Sequence, residues 1–431
     1  MFESVFVKLI AGFLRLRKLL SPLRLLSFLR SLYDKISAVI RGRSSIRDLF
    51  KPSYPRIETT EPIEEERLSG YRAEWYYPVR IGEVFLSRYK VIGKLGFGMT
   101  ATAWLARDLN EKDPCYVTLK VYVHPSLSHF KVPPELAIYE RLNQGPKDHP
   151  GREAIRPLID SFTIKGPAGK HHCLVHPPLW GSLRQLISSD KGYYCPPDVL
   201  AVLLKRLLLA LDYAKECQVI HTDIDTDNIM FELMDTSVLE DFEKAELKNP
   251  SRRKEIDGRF IYECRKIPVS HRTTDCVNWP ILCDFGAAVV GGKTHLEDVQ
   301  RDHYRAPEVI LAAPWSYKID IWNVGCLAWY LCQGDGPFDP YREHQYHSGA
   351  HLAEMGSDEG SSSFLDRRLS SSTLPPSWES LQEALQTWTE DDERDLFVGL
   401  MHKMLQWDPN ERQTAGELLE DEWFIALGRR A

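Results

Sequence analysis

Between residues 25 and 39, apolar side chains fall at Leu25, Phe28, Leu29, Leu32, Ile36 and Val39, three and four positions apart. Arg24, Arg30, Lys35 and Arg41 lie between or beside them. That spacing predicts an amphipathic basic helix, broken upstream at Pro22 because a proline ring obstructs the preceding turn. Residues 51–88 lose the periodicity. They carry Pro52, Pro55 and Pro62 and then the acidic run Glu64-Glu65-Glu66, which reads as a linker. From Tyr89 the pattern shortens to β-rich runs, Tyr89–Lys94, Thr102–Arg107 and Tyr116–Val123, separated by turn residues. Helix-length segments take over after about residue 181. A strand-rich first third before a helix-rich remainder predicts an α+β chain in two lobes. The uncharged stretch from Ile321 to Gly334 spans 14 residues, too short for the ~20 that cross a bilayer, and reads as a buried core helix. Two polar segments interrupt the second lobe: residues 232–280, rich in Lys, Glu and Arg, and residues 347–377, rich in Ser, Gly and acids. Both read as surface insertions or mobile loops.

Charge divides the chain further. Residues 1–50 hold ten Lys or Arg against three acids, whereas the rest carries 44 basic and 58 acidic side chains, within a net charge of −7 over 431 residues. An acidic body predicts no direct nucleic-acid binding and favours basic partners. The basic extension has three readings: a helix on an anionic membrane surface, an Arg-rich organelle presequence, for instance mitochondrial, or a helix packed on the body or a poorly ordered extension. Nine scattered cysteines, none spaced as CxxC, are expected to be reduced thiols of an intracellular protein, cytoplasmic or nuclear. His171, His172, Cys173 and His176 sit close together, but strand alternation would send them to opposite faces, which argues against a metal site.

Candidate chemistry begins at Leu95-Gly96-Phe97-Gly98-Met99-Thr100-Ala101-Thr102-Ala103. Glycine lets backbone N–H groups approach a phosphate with no Cβ in the way. Val117-Thr118-Leu119-Lys120 follows as a strand ending in a lysine, which is costly to bury unpaired, and Glu135 offers a partner from a helix. Then come His221-Thr222-Asp223-Ile224-Asp225-Thr226-Asp227-Asn228, Cys283-Asp284-Phe285-Gly286, Tyr304-Arg305-Ala306-Pro307-Glu308, Asp320 to Gly325, and Arg412. Each is short, but their order and spacing together are highly specific.

Over residues 89–424 this series resembles the eukaryotic protein kinase family, and within it the serine/threonine kinases of the SR-protein kinase type, including their fungal relatives. His221-Thr222-Asp223-Ile224, Leu296-Glu297-Asp298-Val299-Gln300 and an insertion at the position of that group's spacer carry the finer likeness. The resemblance implies a bilobal protein-kinase-like fold, with an N-lobe over about 89–179 and a C-lobe over about 180–424. It implies ATP and Mg²⁺. Asp223 would accept the substrate hydroxyl proton, and Asn228 and Asp284 would hold Mg²⁺. Lys120 would bind the α- and β-phosphates while paired with Glu135, and residues 95–103 would cover the nucleotide. His176 would sit at the gatekeeper position, with the Pro177 and Leu179 backbone meeting adenine. Glu308 and Arg412 would form a buried structural ion pair. Substrates would be proteins, basic or Arg/Ser-rich as in splicing factors.

Several positions depart from the pattern. Ala101 and Ala103 replace the usual glycine and valine, and both are small enough for the loop to close. Thr222 replaces the arginine that reads an activation-loop phosphate, so activity without such a phosphate is expected. Asp225 stands where a lysine usually offsets the charge of the transferred phosphate. That substitution leaves a catalytically weak, nucleotide-binding scaffold as the alternative to an active enzyme. Counting back from Tyr304, Arg301 occupies a position usually held by threonine, and Asp225 with Arg301 is predicted to form a compensating pair.

Overall fold

Alternating apolar positions in the first third of the chain pair into an antiparallel sheet. Its strands are β1 (Val84–Phe85), β2 (Tyr89–Phe97), β3 (Ala101–Asp108), β4 (Cys115–Tyr122), β5 (Asp160–Lys165) and β6 (Lys170–His176), in the order β1-β2-β3-β4-β6-β5. The computed structural model describes residues 54–124, 135–189, 195–268, 277–355, 385 and 391–428. The helix predicted within residues 1–50, with its membrane, organelle and packing alternatives, lies outside the described residues. So does the larger part of the polar segment 347–377, from residue 356 onward. Helix α1 (Glu135–Gln144) crosses the sheet and presents Ile138, Tyr139 and Leu142 inward.

After β6, the short strand β7 (Leu179–Ser182) leads into α2 (Leu183–Ser189) and then α3 (Pro197–Glu216). The inward face of α3 runs from Leu200 through Leu204, Leu207, Leu208 and Leu211 to Ala214, the spacing of one helical stripe. Strands β8 (Val219–Ile220) and β9 (Ile229–Leu233) flank the segment that carries Asp223. A helix α4 (Ser237–Lys248), a hairpin of β10 (Arg253–Ile256) and β11 (Arg259–Tyr262), then β12 (Val277–Leu282) and β13 (Val289–Val290) follow. The remaining helices are α5 (Pro307–Ile310), α6 (Lys318–Gln333), α7 (Ser348–Met355), α8 (Asp391–Met404), α9 (Ala415–Leu419) and α10 (Glu422–Gly428). Helix α6 contains most of the uncharged stretch and is buried nearly all round, from Ile319 to Leu331. Among the described residues no helix is long and apolar enough to cross a membrane.

Two segments differ from the expectation. Residues 232–268 are not a mobile loop. Phe242 of α4 packs with Ile92, Leu105 and Tyr116 of the sheet, and the Tyr116 hydroxyl donates to Glu243 over 2.6 Å. A Cβ on Gly93 would come within 2.7 Å of the Phe242 ring, so this approach requires glycine. Nor are residues 54–85 a tether. Arg56 bridges Arg253 in parallel, with Ile57 N–H donating to the Arg253 carbonyl at 2.8 Å. The acidic run is buried rather than solvated: Glu65 pairs with the fully buried Lys94 of β2, and Glu66 meets Lys254 at 3.0 Å. A buried ammonium requires such a partner, which is why the acids stand here. Proline-rich composition suggested a linker because the partners lie up to about 190 residues away in sequence.

Candidate active site

The sheet and the helical lobe enclose a cleft of about 830 Å³. Its lining includes Leu95, Gly96, Phe97, Gly98, Thr100, Ala101, Thr102, Ala103, Lys120, Leu179, Asn228, Asp284 and Arg301. Residues far apart in sequence are thus brought together. Met99 and Pro177 do not line this cleft, and each has a partner elsewhere: Met99 offers its carbonyl to Tyr76, and Pro177 offers its own to Arg156.

Lys120 stands on β4 and reaches Glu135 at the start of α1 at 2.8 Å and Asp284 at 2.8 Å. Burial alone would lower the lysine pKa, but the two carboxylates outweigh it and raise it, so the ammonium stays charged. In return the Lys120 ammonium holds the Asp284 carboxyl down at about 2. Asp284 adopts a left-handed conformation, φ 60°, and its side chain also accepts from the Gly286 N–H.

Asp223 does not itself line the cleft but stands behind two residues that do, Asn228 and Arg301. Its carboxylate accepts from Asn228 Nδ2 at 2.8 Å and from Arg301 Nε at 3.2 Å. Burial pushes the Asp223 carboxyl up, against Arg301, His221 and Asn228, which favour ionisation. The loop itself is anchored from behind. Asp320 on α6 accepts the N–H groups of His221 and Thr222 at 2.7 and 2.8 Å. The Asp223 N–H donates to His221 Nδ1, so His221 Nε2 carries the proton and donates to the Cys283 carbonyl at 3.0 Å. Thr222 donates its hydroxyl to the Ala287 carbonyl at 2.9 Å, tying the loop to the segment after Asp284.

Asp225 is almost wholly buried and surrounded by cations. Arg301 Nη1 lies 3.4 Å from Oδ2, and Arg184 Nη2 on α2 lies 3.2 Å from Oδ1. Arg184 also binds Asp227 at 2.8 Å, and Arg301 approaches it at 3.6 Å. Burial would raise the Asp225 pKa. The Asp227 N–H, both arginines and the Thr226 hydroxyl prevail and hold it below the usual range. The counted-back position of Arg301 is therefore beside Asp225. Arg184 was missed because nothing in α2 announces a partner 41 residues away.

Two more contacts escaped the motif reading. The Tyr76 hydroxyl lies 3.0 Å from the Gly98 carbonyl and 3.2 Å from that of Met99, so the N-terminal segment grips the tip of the glycine loop. The aromatic run Trp75-Tyr76-Tyr77 was the available signal. In the activation segment, Gln300 accepts the Ala306 N–H at 2.8 Å and donates to Asn323 at 2.9 Å. Tyr304 is buried, whereas Thr294 is exposed. Arg412 meets Glu308 in a buried pair at 2.7 Å, behind Trp322.

The donor set suits a magnesium nucleotide. A Cβ on Gly96 would meet nothing within 4 Å, which leaves a cradle for phosphate oxygens. Asn228 uses its amide nitrogen on Asp223, leaving its oxygen for a cation. Amide and carboxylate oxygens in small number fit Mg²⁺, which takes the rest of its shell from phosphates and water.

Comparison with known proteins agrees with this geometry. A family model described as the protein kinase domain matches residues 275–424. A serine/threonine protein kinase of Aspergillus fumigatus is 38% identical over 411 residues, covering 91% of this chain and 99% of that protein. The serine/threonine-protein kinase SRPK of Physarum polycephalum is 29% identical over 84% of this chain and 91% of its own length. Protein kinase dsk1 of Schizosaccharomyces pombe is 27% identical over 76% of this chain and 74% of its own. The scaffold alternative, which rested on Asp225, finds no support in these relatives, all named as kinases. Lys120, Glu135, Asp223, Asn228 and Asp284 are all present, and this chain belongs to the eukaryotic protein kinase family as a serine/threonine protein kinase similar to the SR-protein kinases.

Proposed function

We propose that this kinase transfers the γ-phosphate of ATP to serines in Arg/Ser-rich protein segments, with a catalytic domain over about residues 89–424. The observation that carries phosphoryl transfer is the Lys120 ammonium held between Glu135 and Asp284 in a cleft whose lining residues Asn228 and Arg301 bond Asp223. Phosphoryl transfer needs positioning and charge neutralisation more than covalent chemistry. Lys120 orients the inner phosphates, and the backbone of residues 95–103 covers them. Asn228 and Asp284 would hold Mg²⁺, whose charge offsets that of the phosphates. Asp223, its basicity raised by burial, takes the proton from the substrate hydroxyl. Arg301 lines the cleft and bonds Asp223, so its remaining donors serve the transferred phosphate in place of the missing lysine.

The substrate class is supported by charge. The body outside residues 1–50 carries 58 acids against 44 bases, and such a surface attracts arginine-rich segments. Relatives named SRPK and SRSF protein kinase point the same way. The test is phosphate incorporation into an Arg/Ser repeat peptide with Mg-ATP, beside the Asp223→Ala variant and a peptide whose arginines are replaced by glutamine. Serine phosphorylation that needs Asp223 but ignores the arginines would overturn the substrate assignment. Incorporation no greater than with Asp223→Ala would overturn the catalytic one.

A further inference from the structure

The tip of the glycine loop is held from the segment that precedes β1. The Tyr76 hydroxyl lies 3.0 Å from the Gly98 oxygen and 3.2 Å from the Met99 oxygen, so both carbonyls face Tyr76. A trans peptide sets its N–H opposite its carbonyl. The N–H groups of Met99 and Thr100, on the far edge of those two peptide planes, therefore point away from Tyr76. Gly98 and Thr100 line the cleft.

Tyr76 is itself placed by other groups. It follows a single 3-10 turn, Ala73–Trp75, which is too short to be stable alone. The carbonyls of this turn are bonded from two sides. The His124 N–H, beyond β4, donates to the Trp75 oxygen at 2.7 Å. From the other side Arg259 donates Nη1 to the Ala73 oxygen and Nη2 to the Tyr76 oxygen. The same guanidinium bonds Tyr71, whose ring lies 5.1 Å from that of Tyr76. A planar fork can serve two carbonyls at once, which a single ammonium does less well.

Arg259 comes from a rigid support. Asp257 and Gly258 form a two-residue turn with φ of 49° and 77°, the pair of left-handed residues that a tight hairpin requires. The turn sets Ile256 opposite Arg259 at the start of β11. At the end of β11, Tyr262 packs edge-on against Trp104 of β3, with ring centres 6.0 Å apart. The hairpin is thus anchored on the sheet, and its Arg259 reaches the turn that carries Tyr76. Arg259 does not line the cleft.

We infer that Arg259 is a positioning residue for the nucleotide phosphates: it fixes the turn that carries Tyr76, Tyr76 holds the Gly98 and Met99 carbonyls, and the Met99 and Thr100 N–H groups are thereby presented to phosphate oxygens. The inference rests on the nucleotide reading of the cleft given above. Adenosine and ADP separate the two, because only ADP carries phosphates. The test is calorimetric binding of both, with Mg²⁺, to the full chain and to Arg259→Ala, Tyr76→Phe and the double variant. Arg259→Ala is expected to weaken ADP about fivefold and to leave adenosine within about twofold. Tyr76→Phe should show the same selective loss, and the double variant should lose little more than either single one, because both break one chain of contacts. Equal losses for adenosine and ADP, no loss for ADP, or fully additive losses would each overturn the inference. Should Arg259→Ala fail to fold, Arg259→Lys keeps the charge and loses the fork; a selective loss of ADP is expected there too, and its absence would overturn the inference. ADP binding to the unmodified chain with no selective loss in the variants sinks the inference and keeps the nucleotide reading, whereas binding of neither ligand sinks both.

Discussion

Two charge clusters face each other across the cleft, and they are built on opposite plans. On the sheet side one cation serves two anions: Lys120 sits between Glu135 and Asp284, with Glu135 only 1% exposed. On the loop side three aspartates, 223, 225 and 227, share Arg301 and Arg184, whose side chains are 37% and 46% exposed. In the first cluster the Lys120–Glu135 pair is compact and poorly solvated, so it weighs heavily, while the half-exposed Asp284 side chain opens onto the cleft. The second is spread between solvent and a buried carboxylate, so its cations are partly screened and partly redundant. A lysine at position 225 would have concentrated positive charge in one residue. This chain distributes it over two arginines that reach in from α2 and from the activation segment.

The largest effect should come from breaking the compact side. Lys120→Met should lower kcat about 10²–10³-fold, the scale for losing one preorganised donor at a reacting phosphate. Rapid-quench single-turnover assays would check it, and a loss below about tenfold would make the two clusters equivalent. Next comes the loop side. Arg301→Ala should cost roughly 2–4 kcal/mol in kcat/KM if its donors reach the transferred group. The sign of its pH effect follows from charge. Arg301 favours the Asp223 carboxylate, so removing it raises a pKa that burial has already raised, and the acid limb of the kcat/KM profile moves to higher pH. A double-mutant cycle of Asp225→Lys with Arg301→Thr should be non-additive, and simple addition would show that the two residues do not communicate.

A smaller change tests the roof of the sheet side. Tyr76→Phe removes one hydroxyl from the glycine-loop tip and should cost about 1 kcal/mol, read as a several-fold rise in the nucleotide KM with kcat little changed. Arg184→Ala should cost less, about 0.2–1 kcal/mol, because its side chain is half in solvent. That cost should fade in 1 M salt, where screening reaches about 3 Å, whereas the Lys120 effect should persist. The smallest expected effect is none. Phosphatase treatment and Thr294→Ala should leave turnover unchanged, because Gln300 and Thr222 already fix the activation segment through neutral hydrogen bonds. Lost activity in either experiment would show that a phosphate completes the loop side.

The motifs were legible because their chemistry depends on residue type in a fixed order. A lysine on a strand, a carboxylate opening a helix, and aspartates on two turns can be read from sequence alone. Arg301 was legible by counting from Tyr304, since the intervening segment has no room to slip. Arg184 and Arg156 were not legible, and the aromatic run around Tyr76 marked a packing segment without naming its partner, because each acts on a partner reached only when separate elements pack. The acidic run at Glu64-Glu65-Glu66 shows the same limit from the other direction. By composition it belongs to a solvated linker, yet Lys94 and Lys254 draw it into the fold.

What the amino-acid sequence determined by itself was the chemical inventory: a glycine loop, Lys120 and Glu135, Asp223, Asn228 and Asp284, and the exchange of a lysine for Asp225. Those are local facts, set by residue identity and short spacing. What only the tertiary structure decided was which charges share a dielectric environment and which carbonyls are already occupied. Arg156 on the Pro177 oxygen, Tyr76 on the glycine loop and Arg184 on Asp225 are separated by 21, 22 and 41 positions along the chain. Interaction energy depends on distance in space and on exclusion of water, and sequence order constrains neither until the chain has packed.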